Sequence, residues 1–535
     1  MNRVSRRFFV FAALGPAVWL LASCNDDSVS NDTLLINGLK TKVQTVVFVY
    51  AENRSFDNIY GTFPGANGIP GVNPTGTGTI AAQKDRDASS SVLSALPQTW
   101  GGVTAAGQVP VVTQAQSAGL ANKPFAADAT FGITATTITR DLYHRFFENQ
   151  MQINGGANDK FAAYADSGGL VMGYWDGSKM ALWNVAKQYV LADNFFEAAF
   201  GGSFLNHQYL ICACAPEYPN ADTAAAKPTI AVLDTDASGK VLPRLTLAGS
   251  APASAMDGPP TYANSGNIVP KNYFGDAAFR AVNTMQPPYQ PSGNAPAAGG
   301  DPAFADPGRP TTLPPQTAKT IGDQLTAKGI TWAWYAGAWT QASTDRSVIY
   351  TTTVPNFQAH HHPFNYYSAY APATAARSQH LKDYNDLVSA AAAGTLPQVV
   401  FYKPTGNVNQ HPGYTNISDG DAHIADLVSK LQKSPQWGNM VIIITYDEFG
   451  GQWDHVAPPK GDLLGPGTRI PAIIVSPFAR MGMVDHTQYD TASIQRLLNR
   501  RFDLDPLPGL TARDAALKTA GSQPMGDFTN ALTLF

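Results

Sequence analysis

Cysteine is nearly absent, with three in 535 residues, at positions 24, 212 and 214. So few exclude a disulfide framework. They also exclude a thiolate zinc site, because Cys212 and Cys214 supply at most two of the four ligands that structural zinc requires. These two lie poorly for an unstrained bridge and read as buried thiols or an uncommon tight disulfide. Charge is scarce as well. Asp, Glu, Lys and Arg make up 14% of the chain and the formal net charge is −4, where an average domain carries about 25% charged residues. The balance argues against nucleic-acid binding, which would call for a basic patch. There is no internal repeat. Beyond the N-terminal segment no apolar run is long enough to read as a membrane span.

That N-terminal segment, "MNRVSRRFFVFAALGPAVWLLASC", opens with Arg3, Arg6 and Arg7 and continues in an apolar run from Phe8 to Leu21. Residues 1–23 read as a signal peptide. "SRRFF" resembles a twin-arginine export signal, and "LASC", Leu21 to Cys24, resembles a bacterial lipobox. The expectation is an exported bacterial protein, periplasmic or membrane-anchored through a lipidated Cys24, with an ordinary cleaved signal as the plainer alternative.

Glycine and proline are abundant, 47 and 39, and they are unevenly placed. Six runs rich in β-branched and aromatic residues read as strands: Thr45 to Tyr50, Tyr189 to Phe196, Ile330 to Ala336, Gln398 to Tyr402, Met440 to Tyr446 and Ile470 to Ser476. They lack strict alternation, as strands covered on both faces do. Helical patterns lie between them: Met180 to Lys187, a stretch ending on Gly394, one starting at Ser418 with Asp421 near a capping box, and one starting at Asp490. The alternation predicts an α/β fold with a mostly parallel sheet flanked by helices, in a single unit spanning 38–535. Residues 62–135 and 216–319 break the rhythm and read as inserted caps or lids over one end of the sheet.

Ligands of parallel sheets sit beyond the carboxyl ends of the strands, so the residues that follow each strand matter most. The first strand runs into Glu52, Asn53 and Arg54. The second leads to "GGSFLNHQYL", with Ser203, Asn206 and His207. The fourth leads to His411, and the fifth to "DEFGGQWDH", with Asp447, Glu448, Asp454 and His455. Hard oxygen donors of this kind suit a divalent cation. A serine hydroxyl is a poor nucleophile until coordination lowers its pKa, and Arg and His donors offset charge on phosphoryl oxygens. The set fits metal-assisted displacement at phosphorus.

"AENRSFDNIYG", "GGSFLNHQYL" and "ITYDEFGGQWDHV" resemble, in order, the bacterial phosphoesterase family of acid phosphatases and phospholipases C. The resemblance implies an alkaline-phosphatase-like core, a divalent metal ion on Glu52, Asn53, Asp447 and Glu448, and Ser203 as nucleophile and further ligand. The family's acid phosphatases often carry Asp-Asp where this chain carries Asp447-Glu448. Ser203 in place of threonine favours the acid-phosphatase branch. So does the end of the chain soon after "SIQRLLNRRF", and so do "DLYHRFFENQMQINGG", "AHHHPFNYY" and "NQHPGYTNISDGDAHIADL". These three stretches imply phosphate-pocket roles for His144, His360, His361 and His411. The expected reaction is hydrolysis of phosphate monoesters through a phosphoserine, at acid pH where histidine is protonated. The alternatives are a phospholipase C acting on phosphatidylcholine-type diesters and a non-catalytic lipoprotein that binds phosphorylated ligands. Arg54 reads as paired with a carboxylate, with phosphate binding as the alternative, and Asp57 and Asp454 as orienting their neighbours. His207 and His455 are open between supporting a ligand and plain packing. Tyr366, Tyr367 and Trp453 read as packing residues. His380, His423 and His486 read as surface or satisfied histidines.

Overall fold

The computed structural model describes residues 31–535. The signal segment, its twin-arginine and lipobox motifs and Cys24 lie outside the described residues. Among the described residues no helix is long and apolar enough to cross a membrane.

The centre is a nine-stranded sheet. Its strands are β1 (Thr45–Ala51), β2 (Val190–Phe196), β3 (Trp332–Ala336), β4 (Leu381–Asp383), β5 (Val399–Lys403), β6 (Met440–Tyr446), β7 (Arg469–Val475), β8 (Met483–Asp485) and β9 (Tyr489–Asp490). The spatial order is β8-β2-β7-β6-β1-β5-β3-β4, and β9 extends the pairing along β2. Every pair is parallel except those of β7, which runs against both β6 and β2. All seven residues of β1 and all seven of β6 are buried, as their unbroken apolar runs require. The register sets Ala51 beside Tyr446. The two strands therefore end level, and the polar residues that follow each of them emerge side by side.

Three short strands were not legible as such. Leu381–Asp383 precedes the Tyr384–Ala393 helix, which stops at a left-handed Gly394. Met483–Asp485 and Tyr489–Asp490 lie along β2, so the helix expected from Asp490 begins at Ser493 instead. The helix expected from Ser418 spans Ile417–Gln432 and is capped by Asn416, whose side chain accepts from Asp419 N. Asp421 is engaged elsewhere and accepts from Ala181 N and Leu182 N.

The Gly/Pro-rich stretches carry little regular structure. The first holds the Ala127–Phe131 helix, and the second a hairpin of Leu233–Thr235 with Val241–Leu245. Polar contacts hold them together instead. Arg86 of the first donates to the carbonyls of Pro252, Ser254 and Gly258 in the second. Asn283 accepts from Phe146 N and donates to Gly266 O, fastening the second stretch to the start of the Phe146–Ile153 helix.

That helix buries a carboxyl group. Glu148 is fully buried, and neither of its oxygens has a hydrogen-bond partner among the described residues. Burial pushes its pKa up, with Arg145 opposing. The folded state then binds the proton more tightly than the unfolded chain. This stabilisation is complete below the unfolded carboxyl pKa of about 4.3 and is lost as pH rises through the higher folded value. Glu148→Gln is therefore expected to raise the thermal midpoint at pH 8 and to match the parent near pH 4; a lower midpoint at pH 8 would refute it.

Candidate active site at the strand ends

The end of β1 turns sharply. Asn53 has φ 61°, in the left-handed region, and its amide donates to Asp447 Oδ1 at 3.3 Å. Gly450 packs on this turn with φ +63°, and a Cβ there would meet Asn53 O at 2.4 Å, so only glycine fits. Ser203 opens the Ser203–Cys212 helix directly after Gly202, which puts its hydroxyl at the positive end of the helix dipole.

Two groups of side chains adjoin at this level. In one, Ser203 Oγ lies 3.2 Å from Glu448 Oε1 and 3.4 Å from Asn53 Oδ1. Glu448 Oε1 is 2.6 Å from His144 Nδ1, and Glu448 Oε2 accepts from Gly450 N. In the other, Glu52 Oε1 is 2.7 Å from both His361 Nδ1 and Lys403 Nζ, and Asp447 Oδ2 is 3.7 Å from Lys403 Nζ. Glu52, Asn53, Ser203, Asp447 and Glu448 are all buried, and hydrogen bonds through Asn53 and Asp447 link the two groups.

Of the histidines, His144 and His411 approach face to edge with ring centres 5.2 Å apart, and His411 Nε2 is 3.9 Å from Glu52 Oε2. The 360–362 tract divides. His361 faces Glu52, while His360 pairs with Tyr350 Oη at 2.7 Å. His362 turns away and packs on Trp339 at 4.3 Å. Burial lowers His360 and takes His361 down to about 4 despite Glu52. This differs from the protonated rings expected there. Burial acts on His144 too, but Glu448 and Asp141 overcome it and raise its pKa well above the ordinary value.

The metal fit rests on unused donors. Asp447 Oδ2 is buried with no hydrogen-bond partner among the described residues. Glu52, His361 and Asp447 each offer an atom within 4.8 Å of the others, close enough to share one ion. Hard oxygens with one imidazole suit a divalent cation. Asp141, His144 and His411 form a second such group. Burial raises Asp447 strongly, with Lys403 opposing and Glu52 and Glu448 adding to the rise.

Lys403 is the group that sequence reasoning missed. It is the last residue of β5 and is 2% exposed. A lysine closing a buried strand was its only signal, and an apolar run conceals it. Glu197 was missed in the same way. It directly follows β2 and accepts from Thr468 N and Phe449 N, steadying the turn that carries Glu448. Arg54 corrects an expectation. No carboxylate oxygen among the described residues lies within 4.0 Å of it. It donates instead to Gln410 O and Asn58 Oδ1, and burial lowers it to about 10. The ion pairs lie one turn further on. Arg469 binds Asp57 at 2.9 Å and Asp454 at 3.0 Å and lies 4.2 Å over the Phe56 ring, while His455 pairs with Asp57. This cluster ties the turn after β1 to the loop after β6. His207 Nδ1 bonds Ser203 O, and its ring stacks on His361.

The aromatic residues pack as expected, with Tyr366 bonded to Met285 O and Trp453 to Asn158 O. His380, His423 and His486 are each satisfied, by Trp332 O, Tyr402 Oη and Asp193. Cys212 and Cys214 are joined in a disulfide.

A mixed α/β sheet with a serine, an amide and three carboxylates at its strand ends defines a class suited to phosphoester chemistry. A family model described as Phosphoesterase family matches residues 43–505, and the chain belongs to that family. It is a phosphoric ester hydrolase. Among curated relatives it is 22% identical over 516 residues to Phospholipase C B of Mycobacterium tuberculosis, covering 90% of this chain and 77% of that one. It is 29% identical over 157 residues to Non-specific phospholipase C6 of Arabidopsis thaliana, covering 23% and 30%. Among solved structures it is similar to a protein in the alkaline phosphatase superfamily from Vibrio parahaemolyticus, with TM-score 0.30, 10% identity and 65% of each chain covered. It is also similar to the lipoteichoic acid synthase LtaP from Listeria monocytogenes, with TM-score 0.27, 8% identity and coverage of 73% and 74%.

Proposed function

We propose that this protein is an acid phosphatase that hydrolyses phosphate monoesters with Ser203 as nucleophile. The observation that carries the reading is the setting of Ser203. Its hydroxyl stands at a helix N-terminus beside Glu448 and Asn53, and Ser203 lines a cavity of about 320 Å³ together with His144, Arg145, Asn267, Asn283 and His360. Ser203 Oγ gives up its proton toward Glu448 Oε1, to which it donates at 3.2 Å, and attacks phosphorus in line; the ester bond to the leaving alcohol breaks, and a phosphoserine forms that water then hydrolyses. A divalent cation held by Glu52, Asn53, Ser203, Asp447 and Glu448 would lower the hydroxyl's pKa and neutralise charge at phosphorus. The helix N-terminus favours the phosphoryl anion at the same place. His144, held in its protonated form by Glu448 and Asp141, is suited to give the leaving alcohol its proton. With that pKa raised, loss of this proton limits turnover only on the alkaline side, and the acid optimum is carried over from the acid-phosphatase resemblance.

A second reading, phospholipase C, is favoured by the names of the curated relatives. Assays of p-nitrophenyl phosphate and of p-nitrophenylphosphorylcholine across pH separate the two. Turnover of the monoester with a maximum below neutrality is expected. A diester-only profile, or a maximum above about pH 8, would overturn the reading. Chelation followed by dialysis is expected to abolish turnover, and metal analysis of the same samples should show loss of a divalent ion in step with activity. The inserted segments at 62–135 and 216–319 are proposed to shape access to this cavity, to which the second contributes Asn267, Asn283 and Thr284. Export and lipid anchoring through Cys24 are proposed from the sequence alone.

A further inference from the structure

The cavity over Ser203 holds one cation that the proposed chemistry does not use. Arg145 follows His144 and lines the same cavity. It is half-buried, and among the described residues no carboxylate oxygen lies within 4.0 Å of its guanidinium. Glu148 acts on it only from further off. The planar guanidinium is the side chain of choice for ion pairs and for bidentate recognition of carboxylates and phosphates.

Its orientation is fixed by the second Gly/Pro-rich stretch. Nη2 donates to Asn267 Oδ1 at 3.0 Å and to Gly266 O at 3.2 Å. Asn267 is held in turn by Thr284 O, and Gly266 O by Asn283. Nε and Nη1 donate to no protein group among the described residues, so the fork retains free donors. The cavity wall contains no carboxylate. A free guanidinium in an acid-free wall, held by neutral side chains, fits an anion. The proposed chemistry assigns the phosphoryl group under attack to Ser203 and the strand-end residues, and leaves Arg145 for another group of the substrate.

We propose that Arg145 is a specificity-determining residue that selects phosphate monoesters whose leaving group carries a second anionic group, a carboxylate or a further phosphate. Asn267, from the inserted stretch, is its positioning residue. The proposal rests on the monoesterase reading above and adds the substrate class of the same site.

The test compares phenyl phosphate with 3-carboxyphenyl phosphate, whose leaving phenols differ little in basicity. Phosphate release is followed, and the ratio of their kcat/KM values is the readout. The parent should prefer the carboxylated ester by about tenfold, the scale of one charge-assisted hydrogen bond. Arg145→Met should bring the ratio near one, and Arg145→Lys should retain part of the preference. Asn267→Ala should weaken the preference with Arg145 in place, which keeps the test open if Arg145→Met does not fold. A parent ratio near one overturns the proposal, as does a preference that survives in Arg145→Met or, failing that variant, in Asn267→Ala. Turnover of neither ester overturns the monoesterase reading and this proposal together. Turnover of phenyl phosphate without a preference overturns this proposal alone.

Discussion

Ser203→Ala is expected to lower kcat on p-nitrophenyl phosphate by about 10⁴-fold or more while leaving the fold intact, with far-ultraviolet circular dichroism and thermal midpoint close to the parent's. The size follows from the role: losing a nucleophile removes the covalent route altogether, and single members of such units cost as much as the whole unit. The small structural cost follows from the contacts. Ser203 Oγ makes two long hydrogen bonds, at 3.2 and 3.4 Å, and removing them leaves Glu448 still bound by His144 and Gly450 N. Retained activity in a correctly folded Ser203→Ala protein would refute the assignment of the nucleophile.

Arg469→Met should act in the opposite way, on stability first. Arg469 is fully buried and serves two buried carboxylates and two carbonyls, those of Asn67 and Asp193. Without it Asp57 and Asp454, each offering an oxygen within 4.8 Å of the other, keep no Lys or Arg partner among the described residues and have His455 as the one remaining basic group beside them. Breaking a buried ion pair from one side typically costs about 3–5 kcal/mol. The urea midpoint should fall accordingly. Turnover should fall too, because the cluster holds the Asn53 turn against the loop that carries Glu448. Triple replacement of Arg469, Asp57 and Asp454 by neutral residues of similar volume should recover part of the stability, since no charge is then left unpaired. A single variant as stable as the parent would show that water or rearrangement satisfies the carboxylates.

The features legible in the sequence were those with a strong local signal. β1 and β6 are unbroken apolar runs and were readable almost to the residue. The motifs after them pointed to one end of the sheet because parallel strands share a direction. The antiparallel course of β7 was hidden, since "RIPAIIV" reads alike in either direction and its orientation is decided by its neighbours. β8 and β9 are three and two residues long, too short for periodicity to mark. Lys403 was overlooked because it closes a buried strand, and Glu197 because it directly follows one, where side-chain pattern predicts apolar residues. Arg54 misled for the opposite reason: its charge suggested a carboxylate, but amide and carbonyl oxygens were nearer. Which histidines of the 360–362 tract face Glu52 was likewise open, because a one-turn helix sends each ring in a different direction.

The level ends of β1 and β6 also bear on when the protein can first act. Asn53 and Asp447, which share a hydrogen bond, are separated by 394 positions in the chain. Ser203 enters between them from a third region. Synthesis must pass the β6 strand before the proposed centre exists, so a growing or truncated chain that ends short of Asp447 carries the nucleophile without its carboxylate partners. Catalytic competence thus requires the chain through Asp447, and appearance of activity during refolding should report closure of the β1–β6 pair rather than formation of any one segment.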